Sequence, residues 1–149
     1  MPLEYVDQNL LDSPAQVIVN TVNTVGVMGK GIALECKKMY PDMFTKYKQY
    51  CEDGSLTVGK LYLYKSDDKW ILNFPTKKNW RSKSKIKYLE LGLQKFVETY
   101  KQKEIESISF PQLGVGNGGL NWDKQVKPLM EKYLADLPIK VYIHIYQKK

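Results

Sequence analysis

The chain is predicted to fold as a three-layer α/β/α sandwich, a central mixed sheet covered on both faces by helices, over residues 1–149 as one domain. Three observations predict it. Strand-like and helix-like segments alternate along the chain, with no internal repeat and no linker. Two glycine-rich loops each stand between a strand and the start of a helix. And 149 residues, 43% of them hydrophobic, suffice for one core and leave little room for a second.

In order, Leu3 to Val6 and Gln16 to Asn20 are short apolar segments bounded by polar residues or proline, as buried strands are. From Gly31 to Tyr40 the pattern becomes helical, with Ile32, Cys36 and Met39 on one face and Pro41 as the stop. A second helix fits Asp42 to Cys51, with Met43, Tyr47 and Tyr50 on one side. Leu61 to Tyr64 and Trp70 to Phe74 read as neighbouring strands joined by a polar turn at Ser66 to Lys69. The longest helix is expected from Ser84 to Gln102, where Ile86, Leu89, Leu93, Phe96 and Tyr100 make an apolar stripe. Ser107 to Phe110 is a further strand. Asp123 to Leu134 reads as a helix that Pro128, lacking an N–H, should kink or shorten. Lys140 to Tyr146 alternates as the last strand.

Composition excludes several classes of function. No uninterrupted apolar run exceeds four residues (Leu61 to Tyr64), far from the ~18 of a membrane helix. The Met-Pro-Leu-Glu opening has no basic segment followed by an apolar one, so a cytoplasmic protein without a membrane or secretory role is expected. Cys36 and Cys51 are too few and too far apart for a zinc or redox motif, and no metal or other cofactor is expected. Lys and Arg number 23 against 16 Asp and Glu, a net charge of +7 that suits an anionic ligand.

In open α/β sheets ligands bind where strands lead into helices. That rule points to Asn20-Thr-Val-Asn-Thr-Val-Gly26-Val-Met-Gly29-Lys-Gly31-Ile-Ala and to Pro111-Gln-Leu-Gly114-Val-Gly116-Asn-Gly118-Gly119-Leu-Asn-Trp122. Glycines let backbone approach a ligand closely, and a helix amino terminus offers free N–H groups to phosphate. Two such loops facing each other would cradle a diphosphate. The first is not a Walker A loop, because Thr24 stands where its first glycine belongs and Gly31 where Ser or Thr binds magnesium. Gly114, Gly116 and Gly119 satisfy GxGxxG formally, but the strand about 20 residues on has no carboxylate for a ribose hydroxyl.

VNTVN followed by GVMGKGIA, with a later FPQLGVGNGGLNW, resembles the macrodomain family of ADP-ribose-binding modules. The resemblance spans nearly the whole chain. It is strongest to the branch that holds the DarG-like antitoxin macrodomains and the terminal ADP-ribose protein glycohydrolase, in which a Thr-Lys pair follows a central strand. Here the pair is Thr76-Lys77.

The resemblance implies roles for single residues. Gly29, Lys30, Gly31 and Ile32, with Gly114, Val115, Gly116, Asn117 and Gly118, would meet the diphosphate. Asn23 would hydrogen-bond the distal ribose, for which an amide has both donors and acceptors. Asn20 is a ligand contact or a loop-structuring residue. Asn9, followed by Leu10, falls where macrodomains usually place an Asp for the adenine amino group. Lys77 would act at the anomeric carbon of the distal ribose. A lysine nucleophile must be neutral, with a pKa well below ~10.4, and Lys78, Arg81, Lys83 and Lys85 would push it down if near in space. The protein-directed glycohydrolase carries an Asp in its second glycine loop where Gly118 stands here.

That departure, with a basic segment, favours DNA as the substrate carrier. Between Asn73 and Lys87 there are six cations, no acidic residue and one tryptophan. Lys78, Trp80, Arg81 and Lys83 would contact a nucleic-acid strand, cations tracking phosphates and the indole stacking on an unpaired base. A solvated helix start with a packed tryptophan is the equal alternative. The expected activity is an ADP-ribosyl glycohydrolase that removes ADP-ribose from thymine in single-stranded DNA. A cognate DNA ADP-ribosyltransferase toxin is the implied partner. Hydrolysis of ADP-ribose on acidic protein side chains, a non-catalytic ADP-ribose reader and a plain single-strand binder stay open.

Overall fold

The computed structural model describes residues 3–145. Six strands form one sheet: β1 (Leu3–Val6), β2 (Val17–Val22), β3 (Tyr62–Lys65), β4 (Trp70–Pro75), β5 (Ser107–Pro111) and β6 (Lys140–His144). Their order is β1-β6-β5-β2-β4-β3, parallel except for the β3–β4 hairpin. The helices are α1 (Gly31–Met39), α2 (Pro41–Glu52), α3 (Ile86–Thr99) and α4 (Lys127–Leu134). The expected mixed sheet in a three-layer sandwich is therefore found. Tyr146, placed at the end of the last strand by its alternation, lies outside the described residues.

Alternation along β2 divides the core in two. Val17 and Val19 face a layer with Leu89, Leu93 and Phe96 of α3 and Met130 and Leu134 of α4. Ile18 and Val22 face the opposite layer, with Cys36 of α1 and Met43 and Tyr47 of α2. Helix α3 lies so close to the sheet that a Cβ on Gly92 would stand 2.3 Å from Cζ of Phe74. Glycine there is a packing requirement. No helix among the described residues is long and apolar enough to cross a membrane.

Two helix starts have local causes. The helix expected from Ser84 begins at Ile86, because Lys85 is extended (φ −120°, ψ 142°) and stands as its N-cap, while Ser84 ahead of it donates its N–H to the Gly118 carbonyl (2.9 Å). Pro128 shortens the helix expected from Asp123, as its missing N–H implies: α4 starts at Lys127 with the proline in its first turn. Ahead of it, Trp122–Val126 form a wide turn in which the Asn121 carbonyl accepts from both Gln125 and Val126 N–H (3.0 and 3.1 Å). Proline is tolerated there because a first-turn N–H would lack a helical partner anyway.

Candidate active site

A cleft of about 740 Å³ opens at the carboxyl ends of β2, β4 and β5. The first glycine loop, between β2 and α1, forms one wall; the second, after β5, forms the other; the segment after β4 closes the end. This is the position the strand-to-helix rule predicts for a parallel sheet.

Lys30, Gly31, Ile32 and Ala33 line the cleft. The first turn of α1 therefore opens into it, and no side chain caps that helix. Its first N–H groups are available to an anion, and the helix dipole adds partial positive charge. Lys30, Lys77 and Arg81 are the ionisable side chains in the lining, so the cleft carries three cations and no carboxylate. Across from α1, Gly114, Val115, Asn117 and Gly118 present backbone. Gly116, at φ +72 with open space on its Cβ side, lets the loop turn there without a side chain in the way. Among the described residues, no three His, Cys, Asp or Glu side chains gather as a metal ion requires.

Lys77 lines the cleft and reaches the second loop. Its Nζ donates to the Asn117 carbonyl (3.3 Å), which links the end of β4 to the second loop. Thr76 beside it is buried, its N–H bonded to the Val22 carbonyl (2.9 Å). The backbone before Lys77 is therefore held against β2, and the lysine projects from a fixed base.

Asn23 lines the cleft, but its side chain is already engaged. Oδ1 accepts from the N–H groups of Val25 (3.2 Å) and Val27 (3.3 Å) and from the Tyr47 hydroxyl (2.9 Å). Its Nδ2 donates to the Val27 carbonyl (2.9 Å), leaving one amide hydrogen for a ligand. Tyr47 is fully buried, and burial, more than its neighbours, pushes its phenol up from the ordinary value. It stays a neutral donor beneath the loop.

Of the residues singled out in the sequence, Asn23, Gly29, Lys30, Gly31, Ile32, Lys77, Trp80, Arg81, Gly114, Val115, Asn117 and Gly118 line this one cleft. Six others lie elsewhere. Asn20 is fully buried in the sheet, donating to Asn73 Oδ1 (3.0 Å), which places it among structuring residues. Asn9 caps the short turn Leu10–Asp12, its Oδ1 accepting from Leu11 N–H (3.0 Å), and Leu10 is core. Gly116 is exposed outside the lining, and the Lys83 stem lies over Gly119. Lys78 reaches toward the Tyr88 ring (5.8 Å), while its carbonyl accepts from Thr24.

The sequence reading passed over Thr21, Gln112 and Ser84, which also line the cleft. Ser84 is the telling one: it is buried, and its hydroxyl has no hydrogen-bond partner in the protein. Gln112 and Thr21 stood within or beside the glycine loops and were legible by position. Ser84 looked like an ordinary helix start.

These features define an anion-accepting cleft at the carboxyl ends of a mixed α/β sheet. The Macro domain family model matches residues 19–129, and the chain belongs to that family. It is 42% identical over 146 residues to the DNA ADP-ribosyl glycohydrolase of Mycobacterium tuberculosis, across 94% of this chain and 42% of that protein. It is 39% identical to a DNA ADP-ribosyl transferase-DNA ADP-ribosyl glycohydrolase fusion protein of Thermosipho africanus, across 99% of this chain and 42% of that one. Among solved structures it superposes on the macrodomain of Thermus aquaticus DarG with a TM-score of 0.88 at 41% identity, covering 98% of each. It also matches Thermosipho africanus DarTG in complex with ADP-ribose, TM-score 0.90 at 41% identity, over 95% of this chain and 41% of that one. The chain thus spans about two fifths of the length of the Mycobacterium tuberculosis glycohydrolase and of the Thermosipho africanus fusion protein.

Proposed function

We propose that this chain removes ADP-ribose from thymine bases of single-stranded DNA. The observation that carries the reading is Lys77, held against the second glycine loop in a cleft that it shares with Lys30 and Arg81 and with no carboxylate among the described residues. The diphosphate lies between the first turn of α1 and the Gly114–Gly118 backbone, where N–H groups and cations meet its charge. That orientation carries the distal ribose toward Lys77 and leaves the modified base at the cleft mouth.

In the proposed reaction Lys77 Nζ, as the free amine, bonds to the anomeric carbon. The bond from that carbon to the base breaks, its electron pair leaves with the base, and the base takes up the proton that Nζ gives off. Water then releases the sugar from Nζ, so base and ADP-ribose are the products and the lysine is restored. The activity for which the relatives above are named supports DNA as the carrier, and the fusion protein supports a DNA ADP-ribosyltransferase as the partner whose product this enzyme reverses. The lack of a carboxylate at position 118 supports the same carrier over protein.

The test is loss of ADP-ribose from a single-stranded oligonucleotide modified on thymine, with the parent and Lys77→Ala. Turnover by the parent and none by the variant, both binding free ADP-ribose, supports the reading. Tight ADP-ribose binding without turnover by the parent leaves a reader, or a hydrolase of protein-linked ADP-ribose, in its place.

A further inference from the structure

The first glycine loop has a second face. Val25 and Val27 at its tip are 47% and 40% exposed, and Trp80 across from them is 48% exposed. Loop tips are ordinarily polar, and three large apolar side chains on one rim are an expensive surface to leave to water. The arrangement is fixed from within. Asn23 Oδ1 holds the N–H groups of both valines, so the turn cannot fold their side chains inward. The Thr24 N–H and hydroxyl both donate to the Lys78 carbonyl (3.3 and 3.0 Å), tying the valine tip to the strand end that leads to Trp80. Val27 and Trp80 both line the mouth of the cleft.

The charge around the rim selects its occupant. Neither Asn20–Leu34 nor Asn73–Leu89 contains an acidic residue, while Lys30, Lys78, Arg81, Lys83, Lys85 and Lys87 all lie in these stretches. The Arg81 guanidinium stands 4.5 Å from the Trp80 ring centre, a cation seated on an aromatic face. Apolar side chains on two stretches whose charges are all cationic suit a polyanion with unstacked bases, which is a single nucleic-acid strand.

We propose that Val25, Val27 and Trp80 form an apolar rim that packs against the nucleotides flanking the modified one, with Arg81 and the neighbouring lysines on their phosphates. This rests on the DNA-directed reading above and adds where the rest of the strand lies. If the sugar enters the cleft, the base that carries it stops at the mouth, and its neighbours must cross this rim. Stacking and apolar contact read no base identity, so the grip is tolerant of sequence. The first glycine loop then serves both parts of the substrate: Gly29 to Gly31 face the diphosphate, and Val25 and Val27 face the strand.

Two substrates separate the rim from the chemistry: ADP-ribosylated thymidine as a free nucleoside, and the same modification within a single-stranded oligonucleotide. The parent should show a higher kcat/KM for the oligonucleotide. Trp80→Ala, and separately a Val25→Ser, Val27→Ser double variant, should lower the oligonucleotide-to-nucleoside ratio about tenfold. Both substrates meet the same preparation, so any loss of folded protein cancels in the ratio. An unchanged ratio in both variants overturns the rim while leaving the activity standing, and would hand this surface to a protein partner. A parent that cleaves the nucleoside as well as the oligonucleotide overturns it too. A parent that cleaves neither removes the activity and the rim with it.

Discussion

The Ser84 hydroxyl oxygen lies 2.6 Å from the point where a Cβ on Gly118 would stand. The two residues are also joined by backbone, Ser84 N–H to Gly118 carbonyl at 2.9 Å. Ser84 therefore occupies the space a side chain at 118 would need. An acidic side chain in this part of the loop, as the protein-directed branch carries, would require Ser84 to be displaced first.

Gly118→Ala should accordingly destabilise the fold by about 1–3 kcal/mol, the usual cost of forcing an extra methyl into packed surroundings. Removing the Ser84 oxygen should relieve much of that. In a double-mutant cycle read by chemical denaturation, Gly118→Ala combined with Ser84→Ala should be more stable than the sum of the single changes predicts. Strict additivity would mean that the loop shifts away and the two residues are not coupled.

Lys77 offers a test of role. If its amine bonds to the sugar, Lys77→Arg should be as inactive as Lys77→Ala, since a guanidinium keeps the charge but stays protonated. A loss of at least a hundredfold in kcat, with ADP-ribose affinity retained by calorimetry, is the expected result. Substantial turnover by the Arg variant would make Lys77 an electrostatic residue only.

The Tyr47 hydroxyl bridges the carbonyl and side chain of Asn23 from below the first glycine loop (2.8 and 2.9 Å). Tyr47→Phe removes the donor and leaves the buried Asn23 carbonyl underserved, at a cost of roughly 1–2 kcal/mol. Because the loop is what this bond holds, ADP-ribose affinity should fall several-fold along with stability. Titration calorimetry on the folded variant measures it, and unchanged affinity would make Tyr47 a core residue alone.

How much of this could be read from the chain depends on the range of the forces involved. Short apolar segments and glycine loops are local patterns, and they placed the sheet and nine residues of one cleft; Lys77 came from the family resemblance, and Trp80 and Arg81 from the basic segment. Asn20 stayed open between ligand and loop, and the resemblance gave Asn9 to the adenine, yet an amide serves a ligand or a neighbouring backbone equally well. Here Asn73 takes one and Leu11 the other, and Asn73 is far away in sequence. Tyr47 read as a core residue on a helix face, and it is one, but the target of its hydroxyl is set by how α2 packs under the loop. Ser84 read as a helix start, but Lys85 after it is extended, and Ser84 is tied instead to the Gly118 carbonyl of a distant loop. Pattern reveals which face is apolar and is silent about what a buried polar atom will meet.

His144 carries a pH signature of its own. It is buried at the end of β6, with Nδ1 2.9 Å from the Gln8 carbonyl and Nε2 2.9 Å from the Ser109 hydroxyl. A carbonyl can only accept, so Nδ1 bears the hydrogen, Nε2 accepts from Ser109, and Ser109 in turn accepts from Ser13 (2.5 Å). The network is complete with a neutral imidazole, and a second ring proton would oppose the Ser109 hydroxyl. Burial, partly offset by the Gln8 bond, holds the folded-state value below the ordinary 6.5. The unfolded chain therefore binds a proton first as pH falls, and stability drops below about pH 6.5 until the folded histidine also titrates. Denaturation at pH 7.5 and 5.5 should show that drop in the parent. In His144→Gln the part of the slope due to this group should vanish, although the variant is less stable at both values. Equal slopes in the two proteins would mean that His144 titrates alike folded and unfolded.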